Sequence, residues 1–192
     1  RPIRQLVDML QILGARIEYL HDDGVPPIRI LSDDFIGGLV GFGAAESSQY
    51  LSAILMAAPY AEEEVEVQLE PSQTSWPYVL MTMRLMDIFG VTPELERDQA
   101  TEEPQVIFVP RHTYAAVDYH VEPDASNAAY FLAAAAIHKG SRITITGLGD
   151  HSLQGGFFRT VADELKQDRL VAQPLGRLNQ RLEIVRQGHS TG

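Results

Sequence analysis

Three polar residues side by side, Ser47-Ser48-Gln49, open the apolar run Tyr50-Leu51-Ser52-Ala53-Ile54-Leu55-Met56-Ala57-Ala58. That order puts two hydroxyls and an amide at a helix start, where unpaired backbone N–H groups and the positive end of the helix dipole favour an anion. Such donors fit phosphate oxygens. The same residues also suit a plain role, because serine ahead of a helix is a common N-cap, and Glu46 adds a like charge that works against an anion. On the residues alone both roles stay open.

Other chemistry has weaker support. The six histidines, His21, His112, His120, His138, His151 and His189, lack metal-ligand spacing, and no cysteine is present to serve as nucleophile, zinc ligand or disulfide partner. The expectation is therefore no metal site. Gly37-Gly38 lacks the strand, loop and lysine of a phosphate loop, no serine has the elbow pattern of a hydrolase, and Glu62-Glu63-Glu64 reads as a solvated turn.

The elements that would hold Ser47 to Gln49 are written twice. Adding 78 to each number leads from Glu46-Ser47-Ser48-Gln49 to Asp124-Ala125-Ser126-Asn127, then to the apolar run from Ala128 to Ala136, and from Val65 and Val67 to Ile143 and Ile145. A helical pattern also recurs: Leu6, Met9, Leu10 and Leu13, ending at Gly14, are echoed by residues 77–91 around Gly90 and more weakly by residues 158–165. Ile17 with Tyr19, and Ile28 with Ile30 after Pro26-Pro27, read as short strands, as do residues 106–109, 116–117 and 119–121. Each copy is predicted to hold two helices and about four strands, an α/β mixture. A period this long makes each copy a block with its own small core and not one layer of a solenoid. After Leu170 the periodicity blurs, Gln173-Pro174-Leu175-Gly176 gives only a turn signal, and Gly188 to Gly192 reads as a frayed tail.

The chain has 192 residues, of which 45% are hydrophobic, enough for a sizeable core in one large or two small domains. A net charge of -11 argues against nucleic acid and against an anionic membrane surface as partners, while leaving room for a local anion pocket. The longest apolar run, Tyr130 to Ile137, falls short of the roughly 20 residues that span a bilayer. Without cysteine or an N-terminal signal pattern the expected location is cytoplasmic, and the opening Arg1-Pro2, with no initiator methionine, reads as the start of a cut or processed piece.

Four segments carry a resemblance to a known family. They are Arg1-Pro2-Ile3 with Leu13-Gly14-Ala15; Ser47-Ser48-Gln49-Tyr50-Leu51 with Met56-Ala57-Ala58-Pro59; Val121-Glu122-Pro123-Asp124-Ala125-Ser126 with Ala129-Tyr130-Phe131-Leu132; and Gly147-Leu148-Gly149 with Ser152-Leu153-Gln154-Gly155. In order and spacing, over roughly residues 1 to 165, the chain resembles the enolpyruvyl transferases, and among them the branch that acts on shikimate 3-phosphate.

The resemblance implies an α+β fold of repeated βαβαββ blocks, an inside-out α/β barrel type. Residues 1–121 would form part of the shikimate-phosphate-binding domain, about two blocks, and residues 122–192 would begin a second domain with about one. It implies a transfer of the enolpyruvyl group of phosphoenolpyruvate to the 5-hydroxyl of shikimate 3-phosphate, in the shikimate pathway of aromatic amino acid biosynthesis, with no cofactor. Ser47, Ser48, Gln49, Ser75 and Tyr78 would bind shikimate 3-phosphate, and Arg1 would bind phosphoenolpyruvate. Catalytic acid–base groups would lie outside this chain, so the isolated chain is expected to be inactive and, with faces left uncovered, to self-associate. Trp76, Pro123 and Gly156 depart from the family pattern; Trp76 would either narrow the pocket or cover apolar surface. Two alternatives stay open: a related transferase acting on a nucleotide sugar, and a non-catalytic fragment or relative that only binds.

Overall fold

The computed structural model describes residues 2–32, 34–43, 47–71, 75–137, 142–146, 153–154, 170–174 and 181–186. The chain divides into two compact units, Arg1–Val117 and Asp118–Gly192.

The first unit opens with α1 (Arg4–Ile12), whose apolar spacing buries Val7, Met9 and Leu13 and leaves Leu6 and Leu10 at the core's edge. Gly14 ends the helix at φ +108, where a Cβ would lie 2.8 Å from Ile36 Cγ1, so the stop needs glycine both for its backbone and for the space. Strands β1 (Ile17–Tyr19) and β2 (Ile28–Ile30) then pair antiparallel, Ile17 opposite Ile30.

A complete βαβαββ block follows: β3 (Gly38–Phe42), α2 (Ser48–Ala57), β4 (Val65–Leu69), α3 (Trp76–Ile88), β5 (Glu94–Arg97) and β6 (Pro104–Val109). Its sheet runs in the order β3-β4-β6-β5, with β3 and β4 parallel and the remaining pairs antiparallel. Period-two alternation points Val40, Phe42, Val65, Val67, Ile107 and Val109 into one buried layer, and pairing places Val65 opposite Val109 and Val67 opposite Ile107. Leu51, Ile54 and Leu55 of α2 and Val79, Met83 and Met86 of α3 cover that layer. Each fully buried Leu or Ile there stabilises by about 1.5–3 kcal/mol relative to exposure.

The second unit contains α4 (Ala125–Ile137), β7 (Arg142–Thr146), β8 (Leu170–Pro174) and β9 (Arg181–Arg186), with strand order β7-β9-β8. This repeats β4-β6-β5 of the first unit, so the 78-residue recurrence in the sequence is a recurrence of topology: α2 corresponds to α4, β4 to β7, and β5 and β6 to β8 and β9.

Several elements differ from expectation. β3, β5, β8 and β9 carry no clear sequence signal yet form, because each is held by backbone pairing: β3 with β4, β5 with β6, β8 with β9, and β9 also with β7. Residues 116–121 alternate like a strand but form none. The segment before them is held by single backbone bonds, His112 N to the Pro59 carbonyl at 3.0 Å and Ala115 N to the Phe89 carbonyl at 2.8 Å, and Val121 is exposed. The third helical echo at residues 158–165, the expected tail at 188–192, and Gly156 lie outside the described residues. No helix among the described residues is long and apolar enough to cross a membrane.

Candidate functional site

Because β3 and β4 are parallel, α2 and α3 both begin at the carboxyl ends of these strands, the edge at which open α/β sheets gather ligands. The two helices pack against each other, which brings their starts together. At the start of α2, Ser47 is the N-cap in extended conformation and its Oγ accepts from Gln49 N at 3.3 Å. Ser48, the first helical residue, is 7% exposed and faces the cavity described next. At the start of α3, Ser75 is the N-cap at φ 60 and ψ 32, a left-handed conformation, with no side-chain cap bond. Pro77 in the first turn suits a position whose N–H has no intrahelical acceptor.

Between these starts lies a cavity of about 530 Å³. Ser47, Ser48, Gln49, Ser75 and Tyr78, the five residues expected to bind one substrate, all line it. Four further described residues that sequence reasoning missed also line it: Ser52, Met56, Met81 and Thr82. Their signal was present as helical spacing, since Ser48, Ser52 and Met56 recur every four residues, as do Tyr78 and Thr82. Among the described residues the lining offers hydroxyls, an amide and thioethers but no charged side chain, so these residues would meet an anion with neutral donors and helix dipoles. Deeper in the cavity Thr82 Oγ1 donates to the Tyr78 carbonyl at 3.0 Å and lies 2.9 Å from Ser52 Oγ.

Arg1 lies outside the described residues. Its neighbour Pro2 accepts a hydrogen bond from the Tyr50 hydroxyl of α2, which ties the chain start to the helix that begins at the cavity. Trp76 is not among the lining residues; its ring packs against the core with Nε1 buried and without an acceptor. Of the two roles expected for it, covering apolar surface is therefore the one observed.

The second copy of the motif is built differently. Asp124 Oδ1 accepts from Ser126 N at 2.8 Å and from Asn127 N at 3.4 Å, while Gln154 Oε1 takes Ala125 N at 2.7 Å. At α4 a carboxylate of the chain itself thus caps the helix start, whereas at α2 the Ser47 hydroxyl caps Gln49 N. Pro123 accepts from Gln154 Nε2 at 2.9 Å, and Glu122 Oε1 accepts from Leu153 N at 3.1 Å, so the residues before α4 are fastened to residues 153–154.

Comparison with known proteins identifies the relatives of this arrangement. The family model for EPSP synthase (3-phosphoshikimate 1-carboxyvinyltransferase) matches residues 1–171. Among curated proteins, the 3-phosphoshikimate 1-carboxyvinyltransferase of Photobacterium profundum is 44% identical over 157 residues, covering 81% of this chain and 35% of that protein. That of Histophilus somni is 42% identical over 167 residues, covering 87% of this chain and 37% of the relative. The chain thus spans little more than a third of the length of these relatives. The solved 2.37 Å structure of EPSP synthase from Acinetobacter baumannii shares the fold, with a TM-score of 0.65 at 22% identity over 98% of this chain and 40% of that one.

Proposed function

Because the chain belongs to the EPSP synthase family, we propose that it is part of an enolpyruvyl transferase and that the cavity between α2 and α3 binds shikimate 3-phosphate. The observation that carries this reading is the convergence of Ser47, Ser48, Gln49, Ser75 and Tyr78 on one cavity at two helix starts. In the proposed complex the phosphate sits against the N-terminus of α2, where Ser48 Oγ and backbone N–H groups donate to it, and Tyr78 bounds the sugar-acid ring from α3. Ser47 serves both roles considered above. Its oxygen accepts from Gln49 N as an N-cap, and its proton remains available to an anion.

In the overall reaction the enolpyruvyl group of phosphoenolpyruvate moves to the 5-hydroxyl through a tetrahedral intermediate, with release of phosphate. The attacking hydroxyl loses a proton, and the methylene carbon gains one and later returns it. Such transfers call for a titratable group near the operating pH, and the described residues that line this cavity include neither carboxylate nor imidazole nor amine. Its work is binding and orientation. Acid–base groups are assigned outside this chain, phosphoenolpyruvate to Arg1, and the isolated chain is expected to be inactive. Residues 1–121 are assigned to the shikimate-phosphate domain and 122–192 to the second, in a cytoplasmic protein with neither nucleic acid nor membrane as partner. The separated chain is expected to self-associate.

The test is a titration of the chain with shikimate 3-phosphate, followed by backbone amide shifts. Residues 47–49 should move, and Ser48→Ala should weaken binding by about 0.5–1.5 kcal/mol, or about 1.5–3 if the bond is charge-assisted. Shifts confined to other residues, with 47–49 unmoved, would leave only the capping role.

A further inference from the structure

One side-chain hydrogen bond crosses between the two helices that wall the cavity. Thr82 Oγ1 is 3.0 Å from the Tyr78 carbonyl and 2.9 Å from Ser52 Oγ. Threonine has a single hydroxyl proton, so the arrangement that satisfies both contacts directs it to the Tyr78 carbonyl and makes Ser52 the donor to Thr82. Ser52 lies one turn beyond Ser48 on α2, and Thr82 one turn beyond Tyr78 on α3, so this bond joins the turns next to the two ligand-facing starts. Thr82 is 9% exposed, which limits how far water can replace a lost partner. Around it Met56 and Met81 line the cavity, while Met83 and Met86 lie in the core. Thioether side chains adapt their shape readily and fix no distance. The hydroxyl pair is directional and does.

We infer that Ser52 and Thr82 are positioning residues that set the separation of the two walls, so that ligand affinity depends on a bond between helices as well as on the groups that meet the phosphate. This rests on reading the cavity as the shikimate 3-phosphate site.

The experiment measures the dissociation constant for shikimate 3-phosphate and the melting temperature in wild type, Thr82→Val, Thr82→Ser, Ser52→Ala and the Ser52→Ala/Thr82→Val pair. Valine keeps the shape and removes the hydroxyl, and should weaken binding about five- to tenfold, while serine restores the hydroxyl and should stay within about twofold of wild type. The double variant should bind no more weakly than Thr82→Val alone, because both changes break one bond. A Thr82→Val protein that melts earlier but keeps its affinity overturns the inference, as do losses in the two single variants that multiply. Should Thr82→Val fail to fold, Ser52→Ala carries the same expected loss, and unchanged affinity there overturns the inference equally. A wild-type chain that binds neither shikimate 3-phosphate nor inorganic phosphate defeats the cavity reading itself, whereas binding insensitive to these variants defeats only the strut.

Discussion

Ser75 holds a left-handed backbone that its side chain does not favour, and replacing it separates the cost of that conformation from the use of its hydroxyl. At φ 60 and ψ 32 it begins α3 without a side-chain cap bond, so its hydroxyl contributes nothing to the helix. Relief of the left-handed strain by glycine is worth about 1–2 kcal/mol, and the added freedom of glycine in the unfolded chain costs about 0.5–1 kcal/mol. Ser75→Gly should therefore stabilise the chain by about 0–1.5 kcal/mol, while Ser75→Ala, which keeps a Cβ in the strained conformation, should be close to neutral. Both variants lose the hydroxyl from the cavity and should bind shikimate 3-phosphate more weakly, by about ten- to a hundredfold for a charge-assisted bond. Urea unfolding measures the first quantity and a ligand titration the second. A glycine variant clearly less stable than wild type, or less stable than the alanine variant, would refute the strain argument. Undiminished binding in both would remove Ser75 from the site.

Gly37→Ala should destabilise the first unit by about 2–5 kcal/mol, from left-handed strain together with a steric clash. At φ +97 its added Cβ would lie 2.5 Å from the Glu63 carbonyl oxygen, a backbone atom that cannot step aside; urea unfolding that shows less than about 1 kcal/mol would contradict this. Asp98 should titrate below the ordinary carboxylate range, because the Thr101 and Ala100 N–H groups and then the Thr101 hydroxyl donate to its charged form. A depressed value means that the stability it contributes is fully present above the unfolded-state pKa and is lost as pH falls through the folded one. Unfolding followed between about pH 5 and pH 2 should therefore be less pH-dependent in Asp98→Asn, and an NMR titration of Asp98 at or above the ordinary value would sink the argument.

How far the sequence alone discloses these features depends on where each element's hydrogen bonds end. Helices α1 to α4 are legible because their bonds are local and their apolar spacing follows 3.6 residues. Strand β4 is legible through the alternation of Val65 and Val67. Strand β3 is not, since Gly38 and Gly41 interrupt it and its order comes from parallel pairing with β4. Strand β5, Glu-Leu-Glu-Arg, sits at a sheet edge with a single apolar side chain and has almost no pattern to read. Ser47 to Gln49 announce a helix start in any context, whereas Ser75 and Tyr78 were reached only through family resemblance, because an isolated serine before a tryptophan and a proline signals no ligand. The role of Ser52 and Thr82 needs the packing of α2 on α3, which no one-dimensional pattern contains.

The cavity belongs to one block, and this bears on the order in which the protein acquires its parts. Both walls lie within residues 38–109, joined by β4 and set on a sheet whose four strands come from the same stretch. The pairings that build this block all fall inside that stretch, so closing them needs no later part of the chain. A chain leaving the ribosome N-terminus first has every residue of this cavity available once β6 has emerged, well before the second unit is made. Ligand met at that stage would favour the folded block by mass action, adding RT ln(1 + [L]/Kd) to its stability. A metabolite could in this way act on the protein first as an aid to folding and only later as a substrate.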